Sequence, residues 1–150
     1  MGIIGNIKSF VTPTTTQAPQ PATNTPTVPA KTVLIVEDEK MLSDALTAKL
    51  THEGFEVQHA DNGQAGLDMI KVKKPNIVLL DLMMPVMDGK TMLWKIREVP
   101  ELKLLPVIVL TNSGTVENMK DTKTFLDASE FFVKSNVSLD DIVARIKTLT

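Results

Sequence analysis

Ile77-Val78-Leu79-Leu80-Asp81 decides the fold of this 150-residue chain, because an apolar run with two β-branched residues stops on a carboxylate. Three other runs end on a polar residue in the same way. Val33-Leu34-Ile35-Val36 leads into Glu37-Asp38, Val107-Ile108-Val109-Leu110 into Thr111, and Phe131-Phe132-Val133 into Lys134. Short runs of this kind read as strands covered on both faces, and helical patterns separate them. In a parallel sheet every strand C-terminus lies on one edge, which is where such sheets bind ligands. The reading therefore gathers three carboxylates, one hydroxyl and one ammonium on a single rim, from positions as far apart as 37 and 134.

Working outward, strand and helix alternate five times from Lys31 onward. Leu42, Leu46 and Leu50 repeat at four-residue intervals on a first helix, and Gly54 is placed to end it. Phe55–His59 alternates in polarity, as expected of a strand near a sheet edge. Asn62–Lys73 reads as a helix stopped by Pro75, and Asn76–Asp81 as the third strand. Met92, Leu93 and Ile96 line a third helix, and Pro106 opens the fourth strand. Val116, Met119, Phe125 and Leu126 predict a fourth helix. Ser138 with Asp141 three residues on predicts the start of a last helix, whose apolar face is Leu139, Ile142, Val143, Ile146 and Leu149. The fold class is thus α/β, a (βα)5 doubly wound parallel five-stranded sheet. Its roughly 120 residues suffice for a single core.

A net charge of −2 gives no electrostatic footprint for nucleic acid, and the lack of cysteine excludes disulfides and thiolate metal sites. No apolar stretch approaches the roughly 18 residues of a membrane helix. A cytoplasmic protein is expected. Residues 12 to 30 contain seven Thr, five Pro and no charged residue. Residues 1–30 are therefore expected to be a disordered Thr/Pro-rich tail and linker, with 31–150 as the folded domain. Ile3, Ile7, Phe10 and Val11 recur at helical spacing, but eleven residues with Gly2 and Gly5 favour a frayed tail over a docking helix.

Taken singly, an Asp at a strand end is a turn former or cap, a Lys is solvated, and a Thr reflects strand propensity. Their joint occurrence on four strand ends carries the functional reading. Asp81 stands where a nucleophile or metal ligand would stand. Carboxylates about 4 Å apart repel by about 4 kcal/mol per pair at an effective dielectric near 20. Lys134 offsets only part of that. A hard divalent cation with oxygen ligands, Mg²⁺ by preference, is the natural remedy, and it would also neutralise an incoming phosphoryl group. Thr111 offers a hydroxyl donor and Lys134 a point charge to phosphoryl oxygens.

Asp81-Leu82-Met83-Met84-Pro85-Val86-Met87-Asp88-Gly89 resembles the phosphoacceptor segment of bacterial response regulator receiver domains. Val33–Asp38 is similar to the first-strand acidic motif of that family, and Thr111 and Lys134 fall at its spacings. The resemblance spans residues 31 to 150. It implies the strand order 2-1-3-4-5 shared with flavodoxin. It also implies that Asp81 takes a phosphoryl group from a sensor histidine kinase or phosphotransfer protein. Asp38, Asp81 and the Met83 carbonyl would bind Mg²⁺ directly, with Glu37 helping through water. Thr111 and Lys134 would hold the phosphoryl oxygens. Phe131 would be the switch aromatic that swings inward as Thr111 moves. The face formed by the fourth helix, fifth strand and fifth helix would then change its affinity for a downstream protein target.

Three positions depart from the family pattern. Ser135 follows Lys134 where proline is usual. A cis bond before a non-proline residue costs about 2.5–4 kcal/mol, so a trans Lys134–Ser135 bond is predicted. Asn112 follows Thr111 where a small residue is usual, and its amide is expected to crowd the phosphoryl group. Asp127 stands where glycine is common. His52 and His59 are not spaced as a metal pair and are expected at the surface. Trp94 is expected to be partly exposed on the polar side of the third helix.

The function expected is Mg²⁺-dependent phosphorelay signalling by a stand-alone receiver, with no turnover activity beyond its own phosphorylation and dephosphorylation. No output domain is evident in these 150 residues, so protein–protein contact, or onward transfer of the phosphoryl group, would carry the signal. The alternative is a non-phosphorylated pseudo-receiver used as a binding module, against which Glu37, Asp38, Asp81, Thr111 and Lys134 argue. A third reading is a phosphohydrolase with Asp81 as nucleophile. Such enzymes usually place a second acid two residues on, where this chain has Met83.

Overall fold

The computed structural model describes residues 28–112 and 128–150. Five parallel strands form one sheet in the order β2-β1-β3-β4-β5. They are β1 (Thr32–Val36), β2 (Glu56–Ala60), β3 (Ile77–Asp81), β4 (Val107–Thr111) and β5 (Glu130–Val133). Four helices accompany them among the described residues: α1 (Lys40–His52), α2 (Gly63–Val72), α3 (Gly89–Glu98) and α4 (Leu139–Leu149). A 3-10 turn, Pro100–Leu102, follows α3. The first 27 residues of the expected tail and linker, the predicted helix through Val116, Met119, Phe125 and Leu126, and Asp127 lie outside the described residues.

The unbroken apolar character of β1, β3 and β4 follows from helices on both faces. Alternate residues of each strand point to opposite layers. Leu34, Val36, Val78, Leu80, Val107 and Val109 pack with Leu67, Ile70, Met92, Leu93 and Ile96 of α2 and α3. Val33, Ile35, Ile77, Leu79, Ile108 and Leu110 pack with Leu46 and Leu50 of α1 and Ile142, Val143 and Ile146 of α4. The edge strand β2 is only half covered, which is why its sequence alternates.

Local signals set the element ends. Gly54 has φ +90°, and its N–H donates to the Thr51 carbonyl while the Phe55 N–H donates to Leu50. This double closure after α1 uses the Phe55 amide, so β2 starts at Glu56, one residue later than the alternation predicts. The side chain of Asn62 accepts from Ala65 N–H at 2.9 Å, and that of Asp88 from Thr91 N–H at 2.7 Å, capping α2 and α3. Val86, in the turn before α3, adopts φ +69°, a left-handed conformation that β-branched residues avoid. No peptide bond among the described residues is cis, so Lys134–Ser135 is trans. Trp94 is 51% exposed on α3, as its flanking residues predict.

Ser138 and Asp141 form a reciprocal cap at the start of α4. Ser138→Ala is expected to lower the unfolding free energy by about 1 kcal/mol, measured by urea titration. The hydrogen bonds from Ser138 hold the Asp141 carboxyl below its ordinary value of 3.8. The Asp141 contribution is therefore complete above that value and is lost as pH falls through the lowered one.

Candidate functional site

The strand order places the ends of β1, β3, β4 and β5 in sequence along one edge. Glu37 leaves β1 with its backbone still held, its N–H donating to the Ala60 carbonyl at 3.1 Å. It is 1% exposed, yet it carries a carboxylate. One oxygen accepts the Glu39 N–H at 3.1 Å, and the other lies 2.7 Å from Lys134 Nζ. Asp81 ends β3 and is 3% exposed. Its Oδ1 accepts the Met83 N–H, and its Oδ2 accepts from Lys134 Nζ, both at 3.1 Å. Asp38 is exposed beside them. One carboxylate oxygen from each of Glu37, Asp38 and Asp81 falls within 4.8 Å of the other two.

The electrostatics follow from this crowding. Burial pushes the Glu37 carboxyl above its ordinary value of 4.5; Lys134 pulls it down, and the charge of Asp81 pushes it up again. Burial opposes the Lys134 ammonium too, but Glu37 and Asp81 outweigh it and hold that pKa above its ordinary 10.5. One cation between two buried carboxylates, with a third nearby, leaves negative charge uncompensated. An all-oxygen donor set of this charge fits a hard divalent cation.

The remaining predicted residues sit around this cluster. Thr111 ends β4, is 1% exposed, and its carbonyl accepts the Lys134 N–H at 3.0 Å. It borders a shallow cleft with Met83, Met84 and Pro85 on the loop after β3 and Lys90 in the first turn of α3. Met83 itself is 70% exposed. Asn112 follows Thr111 on the surface. Phe131 is half-buried on β5 and packs against the α2–α3 side of the core. Glu37, Asp38, Asp81 and Lys134 thus meet directly, while Thr111 and Met83 flank them.

One contact was not legible in the sequence. His59 is on the edge strand, as expected, and its ring is partly exposed. Its Nε2 nevertheless lies 2.9 Å from the Glu37 carbonyl, to which it can only donate. The pairing of Ile35 with His59 brings it there, and no spacing rule along the chain announces it.

A family model for the response regulator receiver domain matches residues 33–147. Response regulator PleD of Caulobacter vibrioides is 36% identical over 121 residues, covering 79% of this chain and 26% of that protein. SilR of Salmonella typhimurium, described as a probable transcriptional regulatory protein, is 35% identical over 118 residues, covering 78% of this chain and 50% of that one. The chain therefore spans half or less of the length of these relatives. A CheY-like receiver domain protein from Methanospirillum hungatei superposes with a TM-score of 0.72 at 28% identity, over 79% of this chain and 92% of that one. Chemotaxis protein CheY4 of Vibrio cholerae matches in fold, with a TM-score of 0.74 at 22% identity over 81% and 99% of the two chains. The chain belongs to the response regulator receiver domain family, the signalling modules of two-component systems. No helix among the described residues is long and apolar enough to cross a membrane.

Glu37 makes this site costly to stability. A carboxyl whose folded pKa is raised contributes most below its ordinary value and loses that contribution as pH rises through the raised one. Glu37→Gln, which keeps the shape and removes the charge, is therefore expected to raise the thermal midpoint at pH 7. The gain should shrink toward zero below pH 4.5, the ordinary Glu37 value. A pH series of melting curves on both proteins checks the sign.

Proposed function

We propose that this domain accepts a phosphoryl group on Asp81 from a phosphohistidine and uses it to switch protein–protein contacts. The observation that supports this most is Lys134 paired with both Glu37 and Asp81 beside Asp38. An Asp81 oxygen attacks phosphorus, the P–N bond breaks, and the imidazole leaves and takes up a proton. Once Asp81 is an acyl phosphate its carboxylate charge is gone, and the Lys134 ammonium turns to the phosphoryl oxygens. The Thr111 hydroxyl donates to another. Asp38, Asp81 and the Met83 carbonyl would hold Mg²⁺, with Glu37 supporting it. That ion, when bound, supplies charge neutralisation for the transferring group. Phe131, paired in the sheet with Val109 two residues before Thr111, then favours an inward position. The change is a population shift whose size equals the differential contacts made to the phosphate. The partners on this reading are a sensor histidine kinase or phosphotransfer protein and a downstream protein target. The domain's own chemistry is confined to gaining and losing one phosphoryl group.

Incubation with Mg²⁺ and a small acyl phosphate, followed by intact mass, is expected to show one labile phosphoryl group that Asp81→Asn abolishes. No mass gain would indicate a pseudo-receiver, and steady turnover of the donor without a stable adduct would indicate a hydrolase. On this reading the amide of Asn112, exposed directly after Thr111, would crowd the phosphoryl group, so Asn112→Ala is expected to change the half-life of the phosphorylated form. An unchanged decay rate removes Asn112 from the site.

A further inference from the structure

Gly89 opens α3, immediately after the Asp88 cap. It is pressed against the peptide unit joining Asp81 to Leu82. A Cβ built on Gly89 would land on the Asp81 carbonyl oxygen, 2.9 Å from the Asp81 carbonyl carbon and 2.8 Å from the Leu82 Cα. All three are backbone atoms at or just past the end of a buried strand, so none can swing aside as the tip of a flexible side chain would. The Gly89 N–H donates to the Leu82 carbonyl at 3.2 Å. Gly89 is not among the residues with positive φ. Space is what the position demands.

We propose that Gly89 is a positioning residue for Asp81, and this rests on the reading of Asp81 as the phosphoacceptor. Its missing side chain lets the first turn of α3 close on the Asp81–Leu82 peptide and so sets the aim of the carboxylate. Asp81 itself and the start of α3 are both held in place. Asp81 is paired with Leu110 in the sheet. The start of α3 is held by the Asp88 cap, by the Gly63 N–H donating to the Met87 carbonyl at 3.0 Å, and by the fully buried Met92, Leu93 and Ile96. A methyl group at position 89 must therefore displace the Leu82–Met83 segment. That segment carries the N–H that holds Asp81 Oδ1 and the carbonyl assigned above to the cation. Lys134 would be left to orient the carboxylate from Oδ2 alone.

Gly66 provides the comparison. A Cβ there would meet Met92 Cε at 2.8 Å and Val36 Cγ2 at 3.0 Å, side-chain atoms rather than backbone. Gly66→Ala strains packing without touching the Asp81 peptide.

The test uses the full chain as wild type, Gly89→Ala and Gly66→Ala, each held well below its melting point. In metal-free protein the Met83 amide is expected to exchange with solvent faster in Gly89→Ala than in the other two. Its Mg²⁺ affinity, measured by calorimetry, should fall by about tenfold to a hundredfold, as for other groups that orient a ligand. Its rate of phosphorylation by a small acyl phosphate should fall with it. Gly66→Ala should lose thermal stability and keep all three properties. A folded Gly89→Ala with unchanged Met83 exchange and Mg²⁺ affinity overturns the proposal, as does an equal loss in Gly66→Ala. If Gly89→Ala does not fold, Asp88→Ala frees the same turn by removing its cap. That variant is expected to shift Met83 exchange and Mg²⁺ affinity in the same direction, and no shift overturns the proposal. A wild type that takes no phosphoryl group on Asp81 defeats the proposed function instead, and the Met83 exchange and Mg²⁺ measurements still decide for Gly89.

Discussion

A single ammonium group, Lys134 Nζ, lies 2.7 Å from a Glu37 oxygen and 3.1 Å from an Asp81 oxygen at the C-terminal edge of the sheet. Both carboxylates are almost wholly buried, and the ammonium is the ion partner of each. The pairing also ties the end of β5 to the ends of β1 and β3, across the intervening strand β4. It is incomplete compensation by construction. Burial still raises the Glu37 carboxyl, and Asp38 adds a further charge within reach.

That imbalance separates structural from functional polar groups in this molecule. Elsewhere the charged residues form exposed pairs such as Lys40–Asp44 and Lys71–Asp68, which contribute little to stability. The helix caps at Asn62, Asp88 and Ser138 are fully satisfied. Among the described residues, the sheet edge is where three acids come within 4.8 Å of one another. On the proposed function, binding a cation or converting Asp81 to an acyl phosphate would relieve their repulsion.

The loop after β3 shows how tightly that arrangement is supported. Val86 holds a left-handed conformation, Met87 accepts a bond from the start of α2, and Gly89 touches the backbone of Asp81. The site is thus built on strand ends but braced by the first turns of two helices. Displacement of either helix would reach Asp81 through backbone contacts rather than through flexible side chains.

The linear sequence by itself determined the existence of the five strands, the end of the first helix, the cap of the last and the identity of the rim residues. Burial on both faces makes β1, β3 and β4 unbroken apolar runs, and the half-covered edge makes β2 alternate. Gly54 and the Ser138–Asp141 pair mark their helix ends through bonds spanning a few residues. Such features depend on neighbours in the chain, so spacing reveals them. Tertiary structure alone decided that Lys134 bridges Glu37 and Asp81, that His59 donates to the Glu37 carbonyl, and that Gly89 abuts the Asp81 peptide. It also decided the start of β2, because the Phe55 amide was taken by the end of α1. These contacts join residues brought together by sheet order and helix packing, and distances of that kind have no periodicity along the chain to betray them.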